Sequence, residues 1–572
     1  MELATAYRRP SGLRRVPGGL ALTLSPNLRR DRVAFDAALA DPLAFREAVS
    51  ALHDVVISDL KFRPKDRSAY EAYRRSEADR ERTLATAVSK AKRDELTEQQ
   101  LPAMRPDLRT DFAAARKVYW RARQRYSNHL LRHDRELWRR LMPCDPVMTV
   151  ADDVMMLECF SRDESSYGCL VVDRDRFTDV RDAAHGTTNV DYSWDLYEHF
   201  QGLRSYRETR FNLDPSGFDV STSGGDAEQT HREEKIDLPD GWLRGFMQLQ
   251  SAMALPGRRV RLHPSTVYNV LAFLKRHRAK KSPRAIRFEL EPGRSTAVVL
   301  EPFDRRLEDP HVVPDDRPAE VVRVWGRDRL RVLRRVLPIA ESFDVFLTGT
   351  GLPSFWVANL SGMRLVLGLS GWTDNDWTTA SAMTSVMPPR ELSESELVRI
   401  AATFKPRPAA TLAQVAAAAD LSPARTAAGL NRLALVGQVI HDLSSGVYRW
   451  RQVMPEPVTS DQIGGDDRQT QMATRIGDRG QVVVHQRRVT DDGSTFVRAT
   501  VRPRDAADRD VEVLFASDGR ITDGSCGCSH HREAGLRRGP CGHLQAARNK
   551  VFDAGGRGEG ASIDAWYQQF WN

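Results

Sequence analysis

The chain lacks most of what would announce a membrane protein, an oxidised scaffold or a reaction centre. No uninterrupted apolar stretch approaches the roughly 18 to 20 residues that a membrane-spanning helix needs, and mean hydropathy is −0.49. The basic N-terminus has an apolar run only from Gly19 to Leu24, short of the roughly 7 to 15 residues of a signal-peptide core, so we expect a cytoplasmic protein. Cysteine is scarce, with six residues in 572. That is too few for a disulfide framework, and Cys144, Cys159 and Cys169 stand singly, as ordinary core thiols do. Catalytic signatures are missing as well: there is no H-E-x-x-H, no G-x-S-x-G and no P-loop. Gly349 and Gly351 in GTGLPS are followed by neither Gly-Lys-Ser/Thr nor a full G-x-G-x-x-G, and read as a tight turn. The acidic pairs Glu233-Glu234 and Asp374/Asp376 have no accompanying histidine and read as solvated loops. We therefore expect no enzyme, unless residues 145–395 hold a site without a recognisable motif.

What the chain does have is unevenly distributed. Its length implies three to five structural units, and its composition a multidomain α+β protein. The net charge of +8 is local: residues 61–140 carry 22 Lys and Arg against 12 Asp and Glu, which leaves the remainder slightly acidic. Residues 61–144 have helical composition divided by Pro102 and Pro106, and predict a basic helical hairpin behind an N-terminal segment, 1–60. Phe112, Ala115, Tyr119, Leu130, Leu137 and Trp138 form a candidate buried stripe, with Arg116, Arg121, Arg123, Arg125 and Arg132 outside it. Such a face is solvated, binds phosphate or meets a protein partner, and the sequence leaves all three open.

Residues 145–395 alternate short β-rich runs with turn clusters and two helical stretches, GWLRGFMQLQSAMAL and HPSTVYNVLAFLKRHRAKK, and predict an α+β domain. Trp356, Trp372 and Trp377 are expected as core and sheet cover. Residues 396–454 are more legible. Ser393 caps a first helix, TLAQVAAAAD makes a second, and Ser422 with Pro423 opens a third, PARTAAGLNRLALVGQV. The run VIHDLSSGVYRWRQV then predicts a hairpin turning at Ser444-Ser445-Gly446. Three short helices and a hairpin resemble a winged helix-turn-helix domain. In a DNA-binding use, the third helix would offer Arg425, Thr426, Asn431 and Arg432 to the major groove, and the hairpin Arg449 and Arg451 to phosphates. Such domains also serve protein interaction alone.

Residues 455–480 are polar, begin Pro-Glu-Pro and read as a linker. Three alternating strands, QVVVHQRRVT, STFVRATVRP and DVEVLFASDG, then lead to Cys526-x-Cys528, twelve residues, and Cys541-x-His543. Three thiolates and one imidazole make a closed tetrahedral zinc set with no open position for water. In extended chain, i and i+2 share a side, so Cys526 and Cys528 can bind one ion, with Gly527 free to bend between them. Pro540 and Gly542 place Cys541 and His543 at the entrance of the helix HLQAARNKVFDA, giving a ββα-like clip. His530 or His531 would be an alternative fourth ligand, but so close to Cys528 either would strain the clip, which favours His543.

These residues resemble the SWIM zinc finger family, whose signature is C-x-C, a variable gap and C-x-H; the match spans about residues 481 to 552 of a domain at 481–556. With the α+β N-terminal half and the winged helix ending in VYRWRQV, the whole resembles bacterial SWIM-finger proteins. The resemblance implies one structural Zn2+ and a protein partner, of the MoxR-type AAA+ ATPase kind and working with a von Willebrand factor A protein. The family is also associated with DNA binding. Hence we expect a non-catalytic interaction or adaptor protein, with DNA binding as the alternative; Arg532, Arg537 and Arg538 in the finger loop either contact phosphate or solvate the loop. The tail, 557–572, pairs Trp566 with Phe570 and Tyr567 with Trp571 at i,i+4 spacing, either to dock on its own domain or to enter a partner groove.

Overall fold

In a computed structural model, the described residues are 12–16, 19–24, 32–58, 146–190, 200–201, 203–205, 208–213, 240–255, 257–279, 284–311, 317–371, 377, 392–453, 468–478, 481–490, 494–503, 507–515, 521–536 and 539–552, with Val118, Arg125, His129 and His133 singly. The chain divides into two compact units, Met1–Asp59 with Pro143–Asn572, and Leu60–Met142. In the second unit the four described residues are helical, and the expected basic hairpin otherwise lies outside the described residues. So do Trp372, Cys144, Glu233, Glu234, Asp374, Asp376 and the aromatic tail.

The first unit mixes helices with several sheets. Its N-terminal part comprises β1 (Gly12–Val16), β2 (Gly19–Leu24), β3 (Ala34–Leu39), α1 (Pro42–Val56), β4 (Val147–Val150), β5 (Val154–Phe160), β6 (Ser166–Asp173), β7 (Phe177–Ala184), β8 (Gly186–Asn189) and β9 (Glu208–Leu213). It continues through α2 (Asp240–Met253), β10 (Arg258–Leu262), α3 (Pro264–Arg276), β11 (Ile286–Leu290), β12 (Ala297–Leu300), β13 (Arg305–Glu308), β14 (Glu320–Val324), β15 (Ser342–Leu347), β16 (Ser354–Leu360) and β17 (Met363–Leu369). An eight-stranded sheet runs β10-β15-β16-β17-β6-β5-β4-β8, beside a five-stranded sheet β1-β2-β9-β3-β7 and a four-stranded sheet β13-β12-β11-β14. All neighbours in the large sheet are antiparallel.

Residues 12–56 are not a separate segment, because β3 pairs with β7 and β9, and β2 runs parallel to β9. α1 begins at Asp41, whose carboxylate accepts from the N–H groups of Leu43 and Ala44, with Pro42 in the first turn. It lies so close to β6 that a Cβ added at Gly168 would sit 2.8 Å from Leu52 Cδ1. The central strands of the large sheet are buried on both faces, and β4 and β5 have no residue that is even half-exposed. Trp356 and Trp377 are fully buried within it, as core cover. Gly349 and Gly351, at φ of 137° and 78°, make the turn between β15 and β16. Cys159 and Cys169 are buried, and burial pushes the Cys169 thiol well above its ordinary range.

Next come α4 (Glu394–Ala402), β18 (Ala409–Ala410), α5 (Leu412–Ala419), α6 (Pro423–Leu435), β19 (Val439–Asp442) and β20 (Val447–Trp450). Ser393 and Thr411 each form a capping box, with Glu396 and Gln414, and Ser422 accepts from the N–H of Arg425. This three-helix and hairpin unit has its own core of Leu397, Ile400, Val415, Leu430, Leu433 and Val439, while Leu435, Ile440, Leu443 and Val453 join the core of the large sheet. The C-terminal elements are α7 (Arg468–Asp478), β21 (Val482–Val489), β22 (Thr495–Val501), β23 (Arg509–Phe515), β24 (Ile521–Cys526), α8 (Ser529–Ala534) and α9 (Gly542–Phe552). β21 to β24 form an antiparallel meander. α7 falls inside the stretch expected to be linker, and its Ala473 and Ile476 are buried against the meander. No helix among the described residues is long and apolar enough to cross a membrane.

Candidate metal centre

The meander's inner face alternates Val497, Ala499 and Val501 on β22 with Val511, Val513 and Phe515 on β23. α9 lies across it with Leu544, Ala546 and Ala547. Small residues on both sides bring the helix close, and a Cβ added at Gly524 of β24 would stand 3.0 Å from the Glu512 carbonyl oxygen and 3.3 Å from Leu544 Cδ2. The end of β24 and the start of α9 are thereby brought together. Cys526 closes the strand, paired with Val511; Cys528 is extended and caps α8, its sulfur accepting the N–H of His531 at 3.4 Å. Cys541 precedes α9 and His543 lies in its first turn.

The four side chains converge, with Cys526, Cys528, Cys541 and His543 each offering one ligand atom and these atoms all within 4.8 Å of one another. All four are buried. Cys526 Sγ lies 3.7 Å from His543 Nδ1. Bonds of about 2.3 Å to sulfur and about 2.0–2.1 Å to nitrogen at tetrahedral angles put the two atoms about 3.6 Å apart, so the spacing fits a zinc-sized cation. The cluster can hold one metal ion, zinc-compatible in donor type and number. Three soft thiolates and an imidazole suit zinc better than calcium or magnesium, which take oxygen.

Electrostatics point the same way. The hydrogen bond from Cys541, aided by His543, holds the Cys526 thiol down at about 4, while the same bond and burial push Cys541 upward and burial raises Cys528. One thiolate is thus ready, and a cation would displace the protons of the other two thiols. Four protein donors would close the coordination of an ion held there and tie the strand end to the helix start.

His530 and His531 are outside the cluster. His530 Nε2 is 3.3 Å from the Gly539 carbonyl oxygen instead. Gly527 does not need to be glycine for bending: its φ is not positive and an added Cβ would meet nothing closer than Arg509 at 4.0 Å. Gly542 does, since a Cβ there would lie 2.7 Å from the Gln469 backbone oxygen and 2.9 Å from Met472 Cβ. Its N–H also donates to Gln469 Oε1 at 2.8 Å. Gln469 and Met472 were missed in the sequence because the apolar face of α7 is short and interrupted.

The residues expected to meet DNA are mostly engaged within the protein. Arg451 is fully buried and donates to both carboxylate oxygens of Glu158, which also accepts from Tyr167 Oη at 2.6 Å. Its guanidinium lies 5.2 Å from the centre of the Phe246 ring. Arg449 is 5% exposed and pairs with Asp442 at 3.0 Å and Asp153 at 2.6 Å. Both are thus engaged on the hairpin face that meets β5 and the residues before it in the large sheet. Thr426 is buried and its hydroxyl donates to the Ser422 carbonyl oxygen. Asn431 exchanges hydrogen bonds with Ser251 on α2, at 3.0 and 3.1 Å, and Arg432 is half-buried, its guanidinium pushed down by burial. Arg425 is on the surface but bonds Glu396 twice, at 2.6 and 2.7 Å. Arg532 is exposed on α8; Arg537 and Arg538 lie outside the described residues.

No protein-family model and no curated protein matches this chain. Among solved structures it is similar to the proliferating cellular nuclear antigen of Entamoeba histolytica, at 9% identity and a TM-score of 0.27 over 41% of this chain and 94% of that one. It is also similar to A. fulgidus PCNA in a structure with the C-terminal region of FEN-1, at 11% identity and a TM-score of 0.27 over 42% and 94%. A third is PCNA from Thermococcus kodakaraensis, at 11% and 0.26 over 40% and 90%. Likeness at this level carries no argument about this chain.

Proposed function

We propose that this chain is a non-catalytic interaction protein in which Cys526, Cys528, Cys541 and His543 hold one structural zinc in a SWIM-type finger. The observation that carries the reading is the closed, buried Cys3His set at the junction of β24 and α9: four protein donors leave the ion no vacant position for water, so its role is to build a surface. The three-helix unit supports an adaptor rather than a DNA reader. α6, which would enter the major groove of a winged-helix complex, is tied to α2 through Asn431 and Ser251, and the hairpin cations are spent on Glu158, Asp442 and Asp153. By the SWIM resemblance, the partner is a protein of the MoxR-type AAA+ ATPase class acting with a von Willebrand factor A protein. The test is a salt-titrated binding series of the zinc-loaded chain against duplex and single-stranded DNA, beside sedimentation with such an ATPase. Stable complex formation with the ATPase and no DNA affinity better than about micromolar at physiological salt is the expected result. DNA affinity that falls steeply with salt, without ATPase binding, would overturn it.

A further inference from the structure

Within the Cys3His cluster, Cys541 and His543 flank Gly542, and that glycine is held by an element far from it in sequence. Gly542 opens α9, so its N–H has no partner within the helix. It donates instead to Gln469 Oε1 at 2.8 Å, on α7, 73 positions earlier in the chain. The backbones are also close: a Cβ at Gly542 would stand 2.7 Å from the Gln469 carbonyl oxygen, 2.9 Å from Met472 Cβ and 3.0 Å from Met472 Cγ. A C-x-H pair needs no glycine at its middle position for its own sake, so this glycine belongs to the approach of α7.

The rest of the turn is fixed by bonds of its own. Gln545 Nε2 donates to the Pro540 carbonyl oxygen at 2.8 Å, and the Gln545 N–H donates to the Cys541 carbonyl oxygen at 3.1 Å. The Gly539 N–H donates to the Leu536 carbonyl oxygen at 3.0 Å. Every residue from Cys541 to Arg548 is buried, more than a helix lying on a sheet by one face achieves. α7 packs along α9 and supplies part of the remaining cover, with Ala473 and Ile476 entering the same core as Leu544 and Ala547.

We propose that α7 is a latch on the metal centre, with Gln469 as its positioning residue: by holding the Gly542 N–H it fixes Cys541 and His543 where they can share a cation with Cys526 and Cys528, and it sets how fast that cation is given up. The inference rests on the metal assignment proposed above. Cys526 ends β24 with Cys528 just beyond it, while Cys541 and His543 stand at the start of α9, so release requires one pair to move off the other. The second pair is pinned. Gly542 cannot move toward α7 without meeting Gln469 and Met472, and cannot leave α7 without stranding a buried N–H. Groups that orient metal ligands from behind commonly change metal affinity by about 10–100-fold when they are removed. Such coupling is reciprocal, so a loaded centre also holds α7 in place.

The experiment measures zinc release from the loaded full chain into excess chromogenic chelator, for the wild type, Gln469→Met and Gln469→Glu, with elemental analysis beforehand and the visible spectra of the Co2+-substituted proteins beside it. Gln469→Met keeps the length of the side chain and removes the acceptor; Gln469→Glu keeps an acceptor. Release about tenfold faster in Gln469→Met and within about twofold of wild type in Gln469→Glu is expected, with the Co2+ absorption displaced in Gln469→Met alone. Val497→Ala, a change on β22 in the same core, should lower the unfolding temperature and leave the Co2+ spectrum as it is, which separates positioning from general loosening. A Gln469→Met protein that holds one zinc and releases it at the wild-type rate would overturn the latch while the metal assignment stands. So would a Gln469→Glu protein as fast as Gln469→Met, or a Val497→Ala spectrum displaced in the same way. A wild type that takes up no metal would sink the metal assignment and the latch with it.

Discussion

Stripping the metal, or replacing Cys541 by serine, should unfold the C-terminal meander and its helices while the eight-stranded sheet stays intact. The magnitude follows from the size of what the cluster holds. The core around the site consists chiefly of Val, Ala and the cysteines themselves, with Phe515, Leu544 and Ile476 as its larger members. A unit of this size rarely has more than about 3–5 kcal/mol from its core. A structural zinc set contributes apparent binding free energy of about 10–16 kcal/mol near pH 7, so the metal term exceeds the packing reserve severalfold. Cys541 is fully buried, and without the ion the site is a crowd of buried thiols around one thiolate. Hydrogen exchange resolves the two regions: amides of Gly542–Phe552 should lose most of their protection on chelation or in Cys541→Ser, whereas those of Ser354–Leu360 and Met363–Leu369 should not change. Unchanged protection of α9, with the metal shown by elemental analysis to be gone, would refute the assignment of a structural role.

Other outcomes follow from the same geometry. Gly542→Ala should cost about 1–3 kcal/mol, because the new methyl overlaps the Gln469 carbonyl oxygen and Met472; faster proteolysis between α7 and α9 would register it. Arg451→Met should destabilise the docked hairpin by about 3–5 kcal/mol by leaving Glu158 buried and unpaired by a cation, and adding Glu158→Gln should recover much of the loss; exchange of the β19 and β20 amides measures both. Glu396, held at about 2 by Arg425 and by its bonds with Ser393, is depressed from an ordinary 4.5. The unfolded chain therefore takes up the proton first, so the stability this group contributes is complete above about pH 4.5 and is lost as pH falls toward 2. An acid titration of α4–α6 followed by NMR should lose that dependence in Glu396→Gln.

How far the sequence revealed the protein depended on the distance between interacting residues. The four metal-site residues were legible because two C-x-C/C-x-H pairs and a connecting loop carry nearly all of the constraint within eighteen residues. The helix caps at Ser393, Thr411 and Ser422 were local in the same sense: each bond spans three residues. The strand β2 was legible only as a short apolar run, since its parallel partner β9 lies far along the chain. α7 was read as linker because a helix with one buried stripe of Ala473 and Ile476, flanked by Arg, Gln and Thr, has the composition of a tether until α9 is placed beside it.

The hairpin arginines show why composition alone left two uses of one surface open. In VYRWRQV, Arg449 and Arg451 alternate with large residues as a basic wing does, and nothing within the motif distinguishes a solvent face from a docked one. What decides is Glu158, 293 positions earlier in the chain. An isolated arginine of this kind would cost far too much to bury; with Glu158, Tyr167 and Phe246 around it, the charge is matched and the hairpin has one orientation. To present these cations to a nucleic acid, the protein would have to break that pair and the Asn431–Ser251 bonds and expose Leu435, Ile440 and Val453, which pack in the large core. Separating the buried pair alone costs about 3–5 kcal/mol, equivalent to a loss of two to four orders of magnitude in affinity. A phosphate contact at a flexible surface arginine carries no such penalty. The sequence of the motif thus admits a DNA reader, while its setting makes the same residues the mortar between two parts of one scaffold.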